Sequence, residues 1–457
     1  MEQLLEIIEG INASIWGWPM MILLLGTHFY LTFRLKIPQR KIFTAIKLSV
    51  KKDSNSSGDV SQFEALATSL AATIGTGNII GVATAVSLGG PGAVLWCWLT
   101  GLFGIATKYA EGLLAIRYRE KTEDGRMLGG PMYALEKGLG CKWLGILFCI
   151  FTAIATFGIG NTVQANAISE NLALACDGLI TPEHTKMIVG FILATVVGFV
   201  IIGGVKSIAK WCTTLVPLMA ALYILGCAYI LFINREHLAS ALFLIINEAF
   251  SLKAVGGGTA GTVLMAAARY GIARGLFSNE SGMGSAPIVA AAAQTRNPVR
   301  QALVSSTGTF WDTVVICAIT GLVIVSSIVA SPEINQNDGG MLTRKAFELI
   351  PYVGAPILTF GIITFAFSTI LGWSYYGEKA IEYLVGKRGI IFYRIIYILL
   401  VFAGATMSLA LVWGLSDIMN ALMAIPNLIS LLLLSNVIAK DTQYYLWEKH
   451  LDENAPN

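Results

Sequence analysis

Long apolar runs dominate the pattern of this chain. A helix crosses a bilayer with about 20 apolar residues, and that ruler predicts about eleven crossings. They fall near 15–35, 63–87, 92–117, 143–172, 187–205, 211–233, 258–294, 301–329, 355–384, 390–411 and 413–438. The expected fold class is all-α, a polytopic membrane protein. Two runs, 63–87 and 258–294, are interrupted by glycine and polar residues. The segment 331–350, with Arg344, Lys345 and Glu348, reads as an amphipathic surface helix.

Composition agrees. Of 457 residues, 55% are hydrophobic and only 13% charged, where a soluble domain carries about a quarter. That excludes a soluble enzyme, a coiled coil and a disordered chain. A net charge of +3 is too small to argue for nucleic acid. Seven scattered cysteines (Cys97, Cys141, Cys149, Cys176, Cys212, Cys227, Cys317) form no C-x-x-C pair, so neither a disulfide framework nor a resident metal or cofactor is expected. The first residues lack the basic region of a signal peptide.

Basic residues alternate between loops. Arg34 to Lys52 follow the first run, Arg117 to Arg126 the third, Lys206 and Lys210 the fifth, Arg296 and Arg300 the seventh, and Lys379 to Arg388 the ninth. The positive-inside bias puts these loops in the cytoplasm. The N-terminus is then expected outside and the tail 439–457 inside. Asn55-Ser56-Ser57, a glycosylation sequon by pattern, falls on the cytoplasmic side and reads as chance.

Both interrupted runs carry unusual chemistry. The first reads Ala71-Ala72-Thr73-Ile74-Gly75-Thr76-Gly77-Asn78-Ile79-Ile80-Gly81. Each glycine costs a helix interior about 1 kcal/mol relative to alanine. Backbone leaves the helix at membrane depth only where it is buried in protein or lines a cavity. Such a stretch offers carbonyls to a cation and a half-helix N-terminus to an anion; the alternative is close helix packing through small residues. The second run, Arg274-Gly275-Leu276-Phe277-Ser278-Asn279-Glu280-Ser281-Gly282-Met283-Gly284-Ser285, places a carboxylate at depth, at a cost of at least ~2.5 kcal/mol. Glu280 must be paired, with Arg274 or Arg269, or solvated by a cavity.

The two interruptions superpose without gaps at a shift of 207 positions: Gly75 on Gly282, Gly77 on Gly284, Pro91 on Pro298, Thr100-Gly101 on Thr307-Gly308 and Phe103 on Phe310. Five crossings separate them, an odd number, so the second copy is inverted in the bilayer. Inverted repeats with matching broken helices point to the midplane site of a secondary transporter.

The block Gly89-Gly90-Pro91-Gly92-Ala93-Val94-Leu95-Trp96-Cys97-Trp98-Leu99-Thr100-Gly101-Leu102-Phe103-Gly104 resembles the signature of the sodium:alanine symporter family, the alanine or glycine:cation symporters. Further family-like blocks are Gly129 to Tyr133, Phe157 to Asn161, Arg274 to Pro287 and Leu371 to Lys379. The resemblance implies sodium-driven import of small neutral amino acids on a leucine-transporter-like 5+5 inverted repeat. Here 63–233 would be the first repeat, 258–438 the second, and 15–35 an extra N-terminal helix.

Resemblance and helix-dipole physics both assign the substrate carboxylate to the backbone amides of Gly75, Thr76 and Gly77. For its ammonium, the carbonyls near Thr73 and Phe277 and the side chains of Ser278 and Gln164 are candidates. Asn161 and Gln164, one turn apart, are expected to share a face; interhelical glue is the alternative. Phe277 and Trp373 are candidates for gate and wall. The leucine-transporter-like alignment implies a sodium ion among the carbonyls of Ala71, Ile74 and Phe365 and the hydroxyls of Ser368 and Thr369, oxygen ligands that suit a hard cation. Asn78 is a candidate for a second ion. Glu280, Asn161 and Asn279 are candidates for coupling or gating.

One charge crossing 100 mV supplies about 2.3 kcal/mol, enough for roughly 50-fold accumulation. No G-x-x-x-x-G-K-[ST] loop argues for ATP. The rival readings are a glutamine or proton-coupled symporter of the same family, an ion channel, and a membrane enzyme. The last lacks a visible nucleophile–base or metal pattern.

Overall fold

The computed structural model describes residues 2–51, 53, 56–176, 178–251, 262–407 and 410–455. The expected site residues all lie within that set; Asn55 and the start of the seventh expected crossing lie outside it. Among the described residues, seven helices are long and apolar enough to cross a membrane, or up to ten if each bent pair counts as one span. The expected 258–294 crossing appears as Thr262–Asn279 followed by Ala286–Ala290.

Local chemistry explains where helices start. Ser61 accepts from Glu64 N–H while Glu64 accepts from Ser61 N–H, a reciprocal cap that opens helix Gln62–Thr73. Pro298 sits at the first position of the helix beginning there, and Asn297 caps it by accepting from Arg300 N–H at 3.0 Å. The repeat partner Pro91 likewise precedes helix Ala93–Arg117.

Helix Gln62–Thr73 stops because Ile74 turns extended (ψ 92°), and the chain restarts at a 50° bend. It resumes as a wide π-helical turn, Gly77–Gly81. The second broken helix ends at Asn279. Glu280, Gly282 and Gly284 then take φ values of +53°, +91° and +83° before Ala286 restarts the helix. The glycines belong there because L side chains strain in that region. Two more π-helical stretches, Gly158–Thr162 and Phe310–Cys317, interrupt the long helices Lys142–Ala175 and Pro298–Ala330. The 32-residue helix Gly354–Val385 runs unbroken past both breaks.

Around this core the chain adds covering pieces. Helix Glu2–Ile15 precedes the expected first span, which is Trp18–Arg34. In the expected surface segment, helix Leu342–Glu348 turns Leu342, Ala346 and Phe347 inward. Thr343 Oγ1 donates to the Ile79 carbonyl at 3.0 Å, inside the first π turn. Helix Ser435–Trp447, bent by 58° from the preceding helix, runs from the end of the last expected crossing into the segment expected as a tail. All seven cysteines are free; five are buried, and Cys141 and Cys176 are half-buried.

Candidate functional site

The two breaks face each other. A Cβ placed on Gly77 would lie 3.2 Å from the Phe277 ring and 3.6 Å from Ser278 Cα. Asn78 folds back, accepting from Gly75 N–H through Oδ1 at 2.9 Å, and sends Nδ2 across to Asp312 Oδ1 at 2.7 Å. From the second break, Ser278 Oγ donates to Asp312 Oδ2 at 3.0 Å, and Thr313 Oγ1 donates to the same oxygen at 2.6 Å. Asp312, fully buried in the π stretch of Pro298–Ala330, therefore ties both breaks together. Sequence reasoning passed over it. The signal was available, because a carboxylate inside an apolar run is a functional candidate by default.

Helix Gly354–Val385 supplies oxygens on the other side. Ser368 and Thr369 donate to the Ala71 carbonyl at 3.3 and 3.1 Å and to the Phe365 carbonyl at 2.9 and 3.0 Å. Four of the five expected ion ligands thus sit together. Ile74, the fifth expected ligand, takes extended backbone at the point where helical bonding stops. A Cβ on Gly75 would meet Thr369 Oγ1 at 2.5 Å and Gln164 Oε1 at 3.6 Å. Gln164 Oε1 and Thr76 Oγ1 are buried without a hydrogen-bond partner among the described residues. Orphaned polar atoms at this depth are what a polar cargo would satisfy.

Asn161 and Gln164 part company. Asn161 donates to the Tyr397 carbonyl at 2.8 Å, away from the breaks, whereas Gln164 donates to the Ile159 carbonyl at 3.0 Å. The wide turn Gly158–Thr162 adds a residue, and one-turn spacing no longer means a shared face. Asn279 also turns away, donating to Thr100 Oγ1 at 3.4 Å and accepting from Ser281 N–H at 2.9 Å.

Glu280 is not paired with Arg274 or Arg269. It accepts from Trp373 Nε1 at 3.0 Å and from Ser285 Oγ at 2.5 Å. Its left-handed backbone turns the carboxylate toward Gly354–Val385. The two arginines instead line a cavity of ≈ 270 Å³ together with Trp16, Phe277 and Asp417. Phe277, touching that vestibule on one side and Gly77 on the other, partitions it from the breaks. Trp373, 1% exposed, packs against the Gly158–Thr162 turn, where a Cβ on Gly160 would lie 2.2 Å from it.

At the far end the broken helices are bolted shut. Val60 and Ala293 form a β-bridge, flanked by Asp59 N–H to the Ala292 carbonyl (2.8 Å) and Gln294 N–H to the Val60 carbonyl (2.7 Å). Arg296 grips Asp53 at 2.6 Å, Arg300 adds a contact at 3.3 Å, and Arg300 also pairs with Asp452 at 2.6 Å. Burial opposes the Asp53 charge, but hydrogen bonds from Arg296 and the charges of Arg300 and Arg296 hold its carboxyl below the ordinary range. Residues 451–455 are therefore docked: Ala455 N–H donates to the Arg296 carbonyl at 2.8 Å. Beside this seal a larger cavity is lined by Arg117, Arg119, Lys121 and Arg296.

A model of the sodium:alanine symporter family matches residues 1–457. The sodium/alanine symporter AgcS of Methanococcus maripaludis is 50% identical over 450 residues, covering 96% of this chain and 97% of its own. GlnT of Bacillus subtilis, described as a probable sodium/glutamine symporter, is 38% identical over 457 residues, with 98% and 92% covered. Among solved structures, MhsT in complex with L-phenylalanine superposes with a TM-score of 0.61 at 16% identity, over 86% of this chain and 95% of that one. At that identity the likeness speaks for fold alone.

Proposed function

Since the chain belongs to the sodium:alanine symporter family, a family of membrane transporters and not of enzymes, we propose that it imports alanine and glycine together with sodium by alternating access. The fold is the leucine-transporter type with two discontinuous helices. The observation that carries the reading is the pair of breaks facing each other across Gly77 and Phe277, with hydroxyls and carbonyls gathered at one flank.

In this reading the substrate carboxylate meets the amides of Gly75, Thr76 and Gly77, where the half-helix dipole is positive, and displaces Asn78 Oδ1 from the Gly75 N–H it now occupies at 2.9 Å. Its ammonium meets the Thr73 and Phe277 carbonyls, Ser278 and the orphaned Gln164 oxygen. Sodium takes the carbonyls of Ala71, Ile74 and Phe365 and the hydroxyls of Ser368 and Thr369. Asp312, held by the Asn78 side chain, adds negative potential between the breaks, and Asn78 and Asp312 together are the place for a second positive charge. The close approach of Phe277 to Gly77, with Trp373 buried, supports a small side chain.

Access alternates between two closures. Phe277 must move to admit cargo from the vestibule, and the Val60–Ala293 bridge with its Asp53–Arg296 clasp must part to release it. The arginines and lysine of the far cavity support a cytoplasmic placement of that end, with the N-terminus outside.

The test is counterflow in proteoliposomes with labelled alanine, glycine and glutamine, each with sodium or potassium outside. Exchange of alanine and glycine in sodium alone is expected. Equal exchange in potassium refutes sodium coupling, and a preference for glutamine refutes the substrate assignment.

A further inference from the structure

In the C-terminal half of helix Ala93–Arg117, Lys108 and Glu111 lie one turn apart, 1% and 2% exposed. Glu111 Oε1 accepts from the backbone N–H of Gly282 at 3.1 Å and Gly284 at 3.0 Å, and from Asn427 Nδ2 at 2.7 Å. Asn427 also donates to the Gly282 carbonyl at 2.8 Å. Glu111 thus holds the second break in its unwound shape.

Its neighbour has no such anchor. Lys108 Nζ is buried with no hydrogen-bond partner and no ion pair among the described residues, and Glu111 Oε2 and His28 Nε2 are likewise unmatched. The ammonium is within Coulombic reach of Glu111 on its own helix, Glu280 in the second break, Asp312 in the π stretch and His28 on helix Trp18–Arg34. Tyr376 on helix Gly354–Val385 faces Glu280 and Glu111 as well. His28 is engaged through Nδ1 with Thr107 Oγ1 at 2.7 Å. Three buried carboxylates therefore share one buried lysine, and that lysine is not hydrogen-bonded to any of them.

Buried charges of one sign are costly unless a counter-charge accompanies them. A symporter meets this problem at one particular step. When loaded, the carrier holds a co-transported cation; after release it must return with the same carboxylates and without that cation. We propose that Lys108 is a tethered counter-cation that stands in for the departed sodium against Glu111, Glu280 and Asp312, and so permits the emptied carrier to return. The inference rests on the sodium-symport reading above. Lys108 is a positioning residue in this scheme, since its Nζ makes no hydrogen bond to any of the assigned ligands.

Two fluxes separate this role from a structural one. Exchange of labelled for unlabelled alanine, at equal sodium on both sides, needs only the loaded carrier. Net uptake down a sodium gradient also needs the empty return. Full-length protein in proteoliposomes is compared as wild type, Lys108→Met, Lys108→Arg and the double variant Lys108→Met/Glu111→Gln. The glutamine keeps an oxygen for the two glycine amides and removes one negative charge. Lys108→Met is expected to keep exchange within about twofold while net uptake falls about tenfold or more, the loss of the counter-charge that the three carboxylates share. Lys108→Arg keeps the wild-type ratio of the two fluxes, and the double variant recovers at least about half of net uptake because charge balance returns. Equal loss of both fluxes, no loss of either, a lowered ratio in Lys108→Arg or no recovery in the double variant overturns the proposal. If Lys108→Met fails to fold, the arginine and double variants still decide. Sodium-independent uptake by the wild type refutes symport itself and is read separately.

Discussion

Ser368→Ala separates the assigned sodium site from the helix that carries it. The hydroxyl donates to the Phe365 carbonyl at 2.9 Å and to the Ala71 carbonyl at 3.3 Å. Losing the shorter bond costs the fold about 1 kcal/mol. Alanine, the better helix former, regains about 0.5 kcal/mol within Gly354–Val385. The net change moves the melting temperature by no more than about 2 °C. An oxygen facing a cation is worth more, about 1.5–3 kcal/mol for an interaction with a charged group. That converts to a rise of roughly 10- to 150-fold in the sodium concentration giving half-maximal uptake. The assay is alanine uptake into proteoliposomes across a sodium series at saturating alanine, beside a thermal melt in detergent. An unchanged sodium curve in a normally melting variant refutes the ligand assignment. A raised alanine requirement with an unchanged sodium curve moves Ser368 to the substrate instead.

Asp312→Asn turns an acceptor into a donor opposite Asn78 Nδ2 or Ser278 Oγ, at about 2 kcal/mol or more; sodium activation should weaken about 30-fold, and a wild-type sodium response would detach Asp312 from the site. Trp373→Ala opens the buried wall beside Glu280; bulkier amino acids should then compete with labelled alanine, and retained selectivity would take the tryptophan out of the pocket. Gly282→Ala forces a side chain onto φ +91° with its Cβ 2.8 Å from Leu24, costing about 1–2 kcal/mol in backbone strain alone; a lower melting temperature is expected, and an unshifted one would mean the break relaxes freely. The Asp53 carboxyl is held below its ordinary 3.8, so its contribution to the clasp is complete at neutral pH and fades as the pH falls through that lowered value. Asp53→Asn should remove that contribution at every pH, raising protease access to the chain around 53–60 at pH 7; equal access in both proteins would show the clasp to be idle.

The crossings were legible because a water-soluble fold has little use for apolar runs of bilayer length. The breaks were legible because Gly75, Gly77, Gly282 and Gly284 are poor helix residues in otherwise strong helices. Ser368 and Thr369, reached through family likeness, do lie against Ala71. What escaped is chemistry distributed over distant positions. Glu111 is a single acid within an apolar run; its meaning comes from two amides and an asparagine far along the chain. For Glu280 the sequence left open a pair with arginines close by or a cavity; a left-handed residue sends its side chain to Trp373 and Ser285 instead. Asn161 was misplaced because a π turn shifts the register without leaving a mark in the apolar pattern. The seal formed by residues 451–455 was invisible for the same reason as Glu111: its partners, Arg296 and Arg300, are more than a hundred positions away.

Five of the seven thiols are sealed in the interior, and only Cys141 and Cys176 stand part-way out. A maleimide dye added to the folded carrier has just those two native targets. Replacing them leaves a background silent to thiol labelling, with the interior sulfurs kept for packing. Fluorophores attached at new cysteines beside Trp16 and beside Asp452 would then report, turnover by turnover, which of the two doors is ajar.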